Sequence, residues 1–273
     1  MMRSLPDRAT HWLARGVIVF LYIPIVAVVV LSFNDSDVTY RWHGFSTRWY
    51  GVLAADTDLL TALRISAEAA VASATLATAG GLLAAMGMAR LGPRVRAVFS
   101  GGLFLPLVIP EIVLGVALLS VFGTLGASLG MTTLVLGHLV VTLPYAALIV
   151  LGAHGALDPA LDEAAADLGC NAWQRFRLVT LPLLRQSLVA AWLLCFTISF
   201  GNIVMSTFTS GVGTTTLPLR VYSLLKTGLT PEINALGTLL VLFTFLIILG
   251  AGLRQMRRIL VGGDRDPGDR IPG

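Results

Sequence analysis

Six stretches of the chain, roughly residues 13–33, 62–88, 97–122, 133–153, 184–208 and 233–253, are apolar over about the twenty residues that a helix needs to cross a hydrocarbon core. Such a chain has few folding options, because inside a bilayer every backbone amide must be bonded within a helix or a closed barrel. The expected fold class is all-α: a polytopic membrane protein with six transmembrane helices, forming a single membrane domain over residues 1–273. Apolar residues make up 56% of the chain and charged residues 12%, whereas soluble domains carry about 45–50% and about 25%. A soluble globular domain does not fit these values. The first apolar run has no small-residue cleavage site after it and reads as a retained span.

Lys and Arg are enriched in cytoplasmic segments, and their placement orients the spans. Arg3, Arg8 and Arg15 precede the first; Arg90, Arg94 and Arg96 lie between the second and third; Arg175, Arg177 and Arg185 lie between the fourth and fifth; Arg254, Arg257, Arg258, Arg265 and Arg270 follow the sixth. These are fourteen of the nineteen basic residues, so both termini are expected on the cytoplasmic side. The net charge of +4 is small and scattered, which argues against a nucleic-acid partner. The partner that composition implies is the lipid bilayer. Two loops on the far side, 34–61 and 209–232, are long, and Trp42, Trp49 and Tyr50 of the first suit the membrane interface. On the cytoplasmic side only 154–183 is sizeable, and the tail 261–273 is expected to be disordered.

Catalytic chemistry has little support in the sequence. His11, His43, His138 and His154 stand alone, and Cys170 and Cys195 offer neither a disulfide framework nor a metal-ligand spacing. No catalytic, cofactor-binding or metal-binding residue is expected. The sole lysine, Lys226, follows no glycine-rich turn that would cradle a phosphate, so if ATP drives this protein another subunit hydrolyses it. His138, inside the fourth span, is read as bonded to a neighbouring helix in preference to serving as a proton relay. Ala69, Ser73, Ala77, Gly81, Ala85 and Ala89 recur every four residues along the second span, a small-residue stripe that admits a closely crossing helix.

The informative polar stretch is 158–182. Asp158 is placed to cap a helix beginning at Pro159, Asp162 and Glu163 sit near its positive end, and Gly169 ends it. A second short helix is expected from Ala172 to about Thr180, with Pro182 opening the fifth span. Leu161, Ala164, Ala165 and Leu168 give the first helix an apolar stripe, and Trp173, Phe176 and Val179 give one to the second. This is a surface hairpin built to enter a groove.

Glu163-Ala164-Ala165, Gly169 and Leu181-Pro182 resemble the EAA motif of permease subunits of bacterial ABC importers. The resemblance implies a type I ABC importer permease fold in which the 159–180 helices dock on an ATPase subunit. It also implies that Glu163, Ala164, Ala165, Leu168, Gly169, Leu181 and Pro182 form the coupling element. Further segments are similar to the C-type permease subunits of spermidine/putrescine importers: residues 22–25, 32–34, 42–50, Pro110-Glu111-Ile112-Val113-Leu114, 217–223 and 230–236. That family implies a non-catalytic subunit in the cytoplasmic (inner) membrane of a bacterium, paired with a second, homologous permease as a heterodimer. Two ATP-binding subunits would carry the ATP and Mg, and an external solute-binding protein would deliver the solute.

Polyamine permeases of this type carry two consecutive aspartates in the fifth span, where this chain has Gly201-Asn202. Without those carboxylates a desolvated amine lacks compensating charge. The expected solute is therefore a polyamine or a related small amine-bearing compound, with an opine, an aminophosphonate or an amino-acid-like solute as alternatives. An ATP-independent secondary transporter is the alternative of another class, and it would need neither the hairpin nor its motif. Glu111, directly after Pro110 in the third span, is either a path residue or a structural carboxylate, since an intramembrane charge costs about 2.5–3.5 kcal/mol. Asn202, Tyr145 and Phe200 are the other candidate path residues, with Trp192 beside them, the aromatic ones through cation–π contact with an amine. Arg64 and Glu68, spaced i,i+4 at the outer end of the second span, are expected to form an ion pair, with a gate or rim as their alternative role.

Overall fold

The computed structural model describes residues 7–37, 41–227, 231–242 and 245. Its helices are, in chain order, α1 (Asp7–Leu31), α2 (Arg48–Ala55), α3 (Thr57–Met88), α4 (Pro93–Phe104), α5 (Glu111–Thr124) and α6 (Met131–Gly155). They continue with α7 (Pro159–Asp167), α8 (Ala172–Arg175), α9 (Leu181–Phe200), α10 (Val204–Thr209), α11 (Leu217–Thr227) and a shorter apolar helix, α12 (Glu232–Leu242). Among the described residues the only extended pairing is a single antiparallel bridge between Asn34 and Phe45, so the fold is all-α. The chain forms two compact units, Met1–Asp56 with Leu224–Gly273, and Thr57–Ser223.

Among the described residues four helices are long and apolar enough to cross a membrane: Thr10–Leu31, Thr57–Met88, Met131–Gly155 and the continuous run Ala172–Phe200. The span expected over 97–122 is broken: α4 with the 3-10 turn Leu105–Leu107 meets α5 at a bend of 104°. Proline supplies the reason. Pro106 and Pro110 lack an amide hydrogen, and each disfavours helical geometry in the residue before it; Pro110 is itself extended, with ψ 132°, and caps α5. The span expected over 184–208 is also corrected: α9 stops at Phe200, and residues 201–203 separate it from α10. The sixth expected span, 233–253, is represented by α12 and Phe245. Its remainder and the tail 261–273 lie outside the described residues.

In the larger unit α3, α6 and α9 form the core, and the small-residue stripe is what brings them together. Ala69, Ser73, Ala77, Gly81 and Ala85 are buried, and only Ala89 at the end of the stripe is exposed. A Cβ on Gly81 would stand 2.9 Å from the backbone of Ala146 and Ala147, and Ser73 Oγ donates to Ala69 O at 2.7 Å while reaching Val135 O at 3.3 Å. Lipid offers no hydrophobic drive between helices, so this close packing is the source of their association. Gly81→Leu is expected to destabilise the unit by about 1–3 kcal/mol, as overpacking does, read as a lower melting temperature of the solubilised protein. Ala79→Leu, on the exposed side of the same helix, serves as the control. Equal melting of the two variants would contradict the close crossing.

In the smaller unit α1 carries its apolar side chains outward, Phe20 and Leu21 among them, as a helix apolar all round does in lipid. Asn34 organises the loop that follows. Its side chain donates to Arg41 O at 2.7 Å and accepts from the His43 amide at 2.9 Å, and its carbonyl accepts from Trp49 Nε1 at 2.9 Å. Trp49 is therefore buried with the Arg48 guanidinium 4.4 Å above its ring, Tyr50 is half-buried beside Ser32, and only Trp42 keeps the exposure expected of an interface residue. Asn34→Ala removes the bonds to Arg41 O and from the His43 amide, at about 0.5–1.5 kcal/mol each. Faster protease cleavage within 34–47 is the expected result, and an unchanged rate would remove this role.

Candidate functional site: a surface hairpin and a buried polar chain

Local chemistry sets the hairpin over 159–180. Asp158 Oδ1 accepts from the Ala160 amide at 3.0 Å, and Pro159 and Asp162 occupy the first turn of α7. Gly169 ends the helix with φ +83°, a left-handed conformation that costs a side-chain-bearing residue about 1–2 kcal/mol. A capping box not anticipated from the sequence, although its Asn-x-x-Gln signature is there, opens α8: the side chains of Asn171 and Gln174 accept from each other's backbone amides at 2.9 and 2.8 Å. Arg175 Nη1 pairs with Asp162 Oδ2 at 2.8 Å and ties the two arms together.

The second arm differs from the expected separate helix. α8 is a single turn, Phe176–Thr180 forms a π turn, and α9 follows at Leu181 without a break. Pro182 falls in the first turn of α9 and lacks the amide that a continuous helix would use there, and the run passes it directly after the π turn. The arm is thus an extension of a membrane-crossing helix. Of the stripe expected on α7 only Ala165 is buried, while Leu161, Ala164 and Leu168 are exposed, as is Glu163 beside them. Trp173 and Leu178 are exposed as well, with Trp173 resting on Phe176 at 5.4 Å between ring centroids. Glu163 has no hydrogen-bond or ion-pair partner among the described residues.

A buried polar chain runs through the breaks in the third and fifth spans. Asn202 Nδ2 donates to Glu111 Oε1, and Asn202 Oδ1 accepts from the Met205 amide at 2.8 Å, capping α10. Ser206 Oγ donates to Asn202 O at 2.7 Å and lies 3.1 Å from His138 Nε2, while His138 Nδ1 lies 2.7 Å from Ser199 Oγ. The hydrogen assignments follow. Ser206 has given its one proton to Asn202, so it accepts from Nε2–H, and Nδ1 of the neutral imidazole accepts from Ser199. His138 is bonded between helices, as its sequence position suggested. Two glycines seat α10 against its neighbours: Gly115 of α5 faces Phe208, and a Cβ on Gly137 of α6 would come within 2.7 Å of Thr209 Cγ2.

The structure thus brings Glu111 and Asn202 into direct contact. Phe200 lies two residues before Asn202 in the chain and stacks on Phe196, which stacks on Trp192, with centroids 5.7 and 5.4 Å apart; Trp192 Nε1 donates to Thr75 Oγ1 at 3.0 Å. Tyr145 is half-buried on α6, and no hydrogen bond ties it to the cluster among the described residues. Arg64 Nε and Glu68 Oε1 form an exposed ion pair at 2.7 Å. Ser199 and Ser206 were not singled out from the sequence; an i,i+7 pair of serines flanking Gly-Asn carries no distinctive signal.

A sequence model of the family described as binding-protein-dependent transport system inner membrane component matches residues 77–260, a range that holds the hairpin, Glu111 and Asn202. The spermidine/putrescine transport system permease protein PotC of Escherichia coli (strain K12) is 38% identical over 234 residues, 86% of this chain and 89% of that protein. The putrescine transport system permease protein PotI of the same organism is 38% identical over 252 residues, 88% of this chain and 89% of that protein. A bacterial ABC transporter involved in the import of the acidic polysaccharide alginate shares the fold, with a TM-score of 0.70 over 93% of this chain and 96% of that one at 13% identity. The chain therefore belongs to the family of inner membrane components of binding-protein-dependent transport systems.

Proposed function

We propose that the chain is one half of the translocation pore of an ATP-driven importer and that its solute is a polyamine, spermidine or putrescine, or a related small amine-bearing compound. The chain itself is non-catalytic: ATP and Mg belong to two partner subunits that dock on the 159–180 helices. A second, homologous permease completes the pore as a heterodimer, an external solute-binding protein delivers the solute, and both termini are cytoplasmic. The observation that carries the coupling role is the hairpin, which is rigidly capped and continuous with α9 yet leaves Glu163, Leu161, Leu168 and Trp173 exposed. Closure of the ATPases would move α7 and α8 as a unit. The run from Ala172 to Phe200, about 40 Å long at 1.5 Å per residue, would carry that movement to Asn202 and so to Glu111.

Glu111 supports an amine as solute, because its half-buried carboxylate supplies the charge a desolvated ammonium needs. An opine, aminophosphonate or amino-acid-like solute is the second reading. Gly201-Asn202 favours it, since one carboxylate matches one amine better than a polycation. A photo-crosslinker placed at Leu168 is expected to capture an ATP-binding subunit in the assembled complex, and no capture would remove the docking role.

A further inference from the structure

At the root of the hairpin a cavity of about 400 Å³ opens between the C-terminal ends of α3 and α6, the hairpin, and the start of α9. Its wall is of two kinds. Met86, Ala89 and Leu183 make one side apolar, and Arg90 and Arg175, with the His154 imidazole beside them, make the other a wall of hydrogen-bond donors. Two carboxylates also line it, but both are committed: Asp158 Oδ1 caps the Ala160 amide, and Asp162 Oδ2 holds Arg175 Nη1. Arg90 and His154 are not, and Arg175 keeps one donor unmatched. The side chains of Arg90 and His154 make no hydrogen bond or ion pair among the described residues, and the Nε–H of Arg175 is buried without an acceptor. A buried donor left unmatched carries its full desolvation cost, and a guanidinium in this position calls for an anionic acceptor inside the cavity.

We infer that this cavity binds a phosphate-bearing anion through Arg175 Nε, Arg90 and His154. A phospholipid headgroup is the source that the apolar wall favours, and inorganic phosphate is the other. Basic pockets between membrane helices take up anionic headgroups in this way. Arg175 also ties α8 to α7 through Asp162, so an anion here joins the end of α3, the end of α6 and the hairpin at one point. It would stiffen the joint through which the proposed ATPase closure passes. That consequence rests on the coupling role proposed above; the site itself does not.

The test uses the complete importer in nanodiscs of phosphatidylcholine, with or without phosphatidylglycerol. Native mass spectrometry reads the phosphatidylglycerol retained on this chain, and ATP hydrolysis stimulated by the loaded binding protein is measured in the same discs. Arg90→Gln is expected to weaken retention about tenfold, the scale of one hydrogen bond to a charged group. Arg175→Lys, which keeps a cation for Asp162 and removes Nε, is expected to do likewise. If phosphate added to phosphatidylcholine discs alters stimulated hydrolysis through Arg90, and phosphatidylglycerol is not retained, the anion is free phosphate and the site stands. Equal retention in wild type and Arg90→Gln, with no effect of phosphate on either, overturns it. Retention that depends on Arg90 while hydrolysis never responds to the binding protein upholds the site and overturns the coupling role.

Discussion

Gly169→Pro is expected to abolish solute-stimulated ATP hydrolysis and uptake while the chain still inserts in the membrane. Proline fixes φ near about −65°, and Gly169 stands at φ +83°, so α7 can no longer turn into the Asn171–Gln174 capping box. The contacts among α3, α6 and α9 are untouched by the change. Glu163→Ala is the milder companion. It keeps the backbone and removes one exposed carboxylate that has no partner within the described chain. Loss of a charge-assisted bond to the ATPase, about 1.5–3 kcal/mol, lowers coupled hydrolysis about tenfold to about a hundredfold. The measurement is the ratio of stimulated to basal hydrolysis, and an unchanged ratio in both variants would remove the hairpin from the mechanism.

The second large effect is on solute preference. Gly201→Asp with Asn202→Asp places two carboxylates just past the end of α9, and the geometry at Asn202 shows what the change does locally. A carboxylate at position 202 still accepts the Met205 amide and still caps α10, but it cannot donate to Glu111 as the Asn202 amide does. Glu111 is released beside two new negative charges. Spermidine uptake relative to a monoamine is expected to rise about tenfold or more, since each 1.4 kcal/mol of added attraction is a factor of about ten. No change in that ratio would mean that this end of α9 does not face the solute.

The hairpin was legible in the sequence because its determinants are local. Asp158-Pro159 starts α7 and Gly169 ends it within eleven residues, each acting on its own turn of backbone. The four-residue stripe on α3 likewise announced the buried face, since only small side chains let α6 approach within contact of Gly81. The interruption after Phe200 was not legible. It is held by Asn202, whose partner Glu111 lies 91 residues away in the chain, and such pairing has no short-range signature. Pro106 and Pro110 mark the place where the third span bends by 104°, but the seating of α10 beside it against α5 and α6 joins segments far apart in the chain. Pro182 opens α9, as its position suggested, but the helical run from Ala172 passes into it through the π turn Phe176–Thr180, which no single residue announces. Trp49 was assigned to the membrane interface on residue type; its burial is fixed by the carbonyl of Asn34, fifteen residues earlier.

The most direct measurement is ATP-dependent uptake of labelled putrescine and spermidine into proteoliposomes that hold the complete complex, challenged with unlabelled amino acids, opines and aminophosphonates. The account predicts polyamine uptake that requires ATP and the binding protein, falls with Glu163→Ala, and is not reduced by those competitors. Uptake that proceeds without ATP, or ATP turnover driven by a competitor with no polyamine entering, would contradict it.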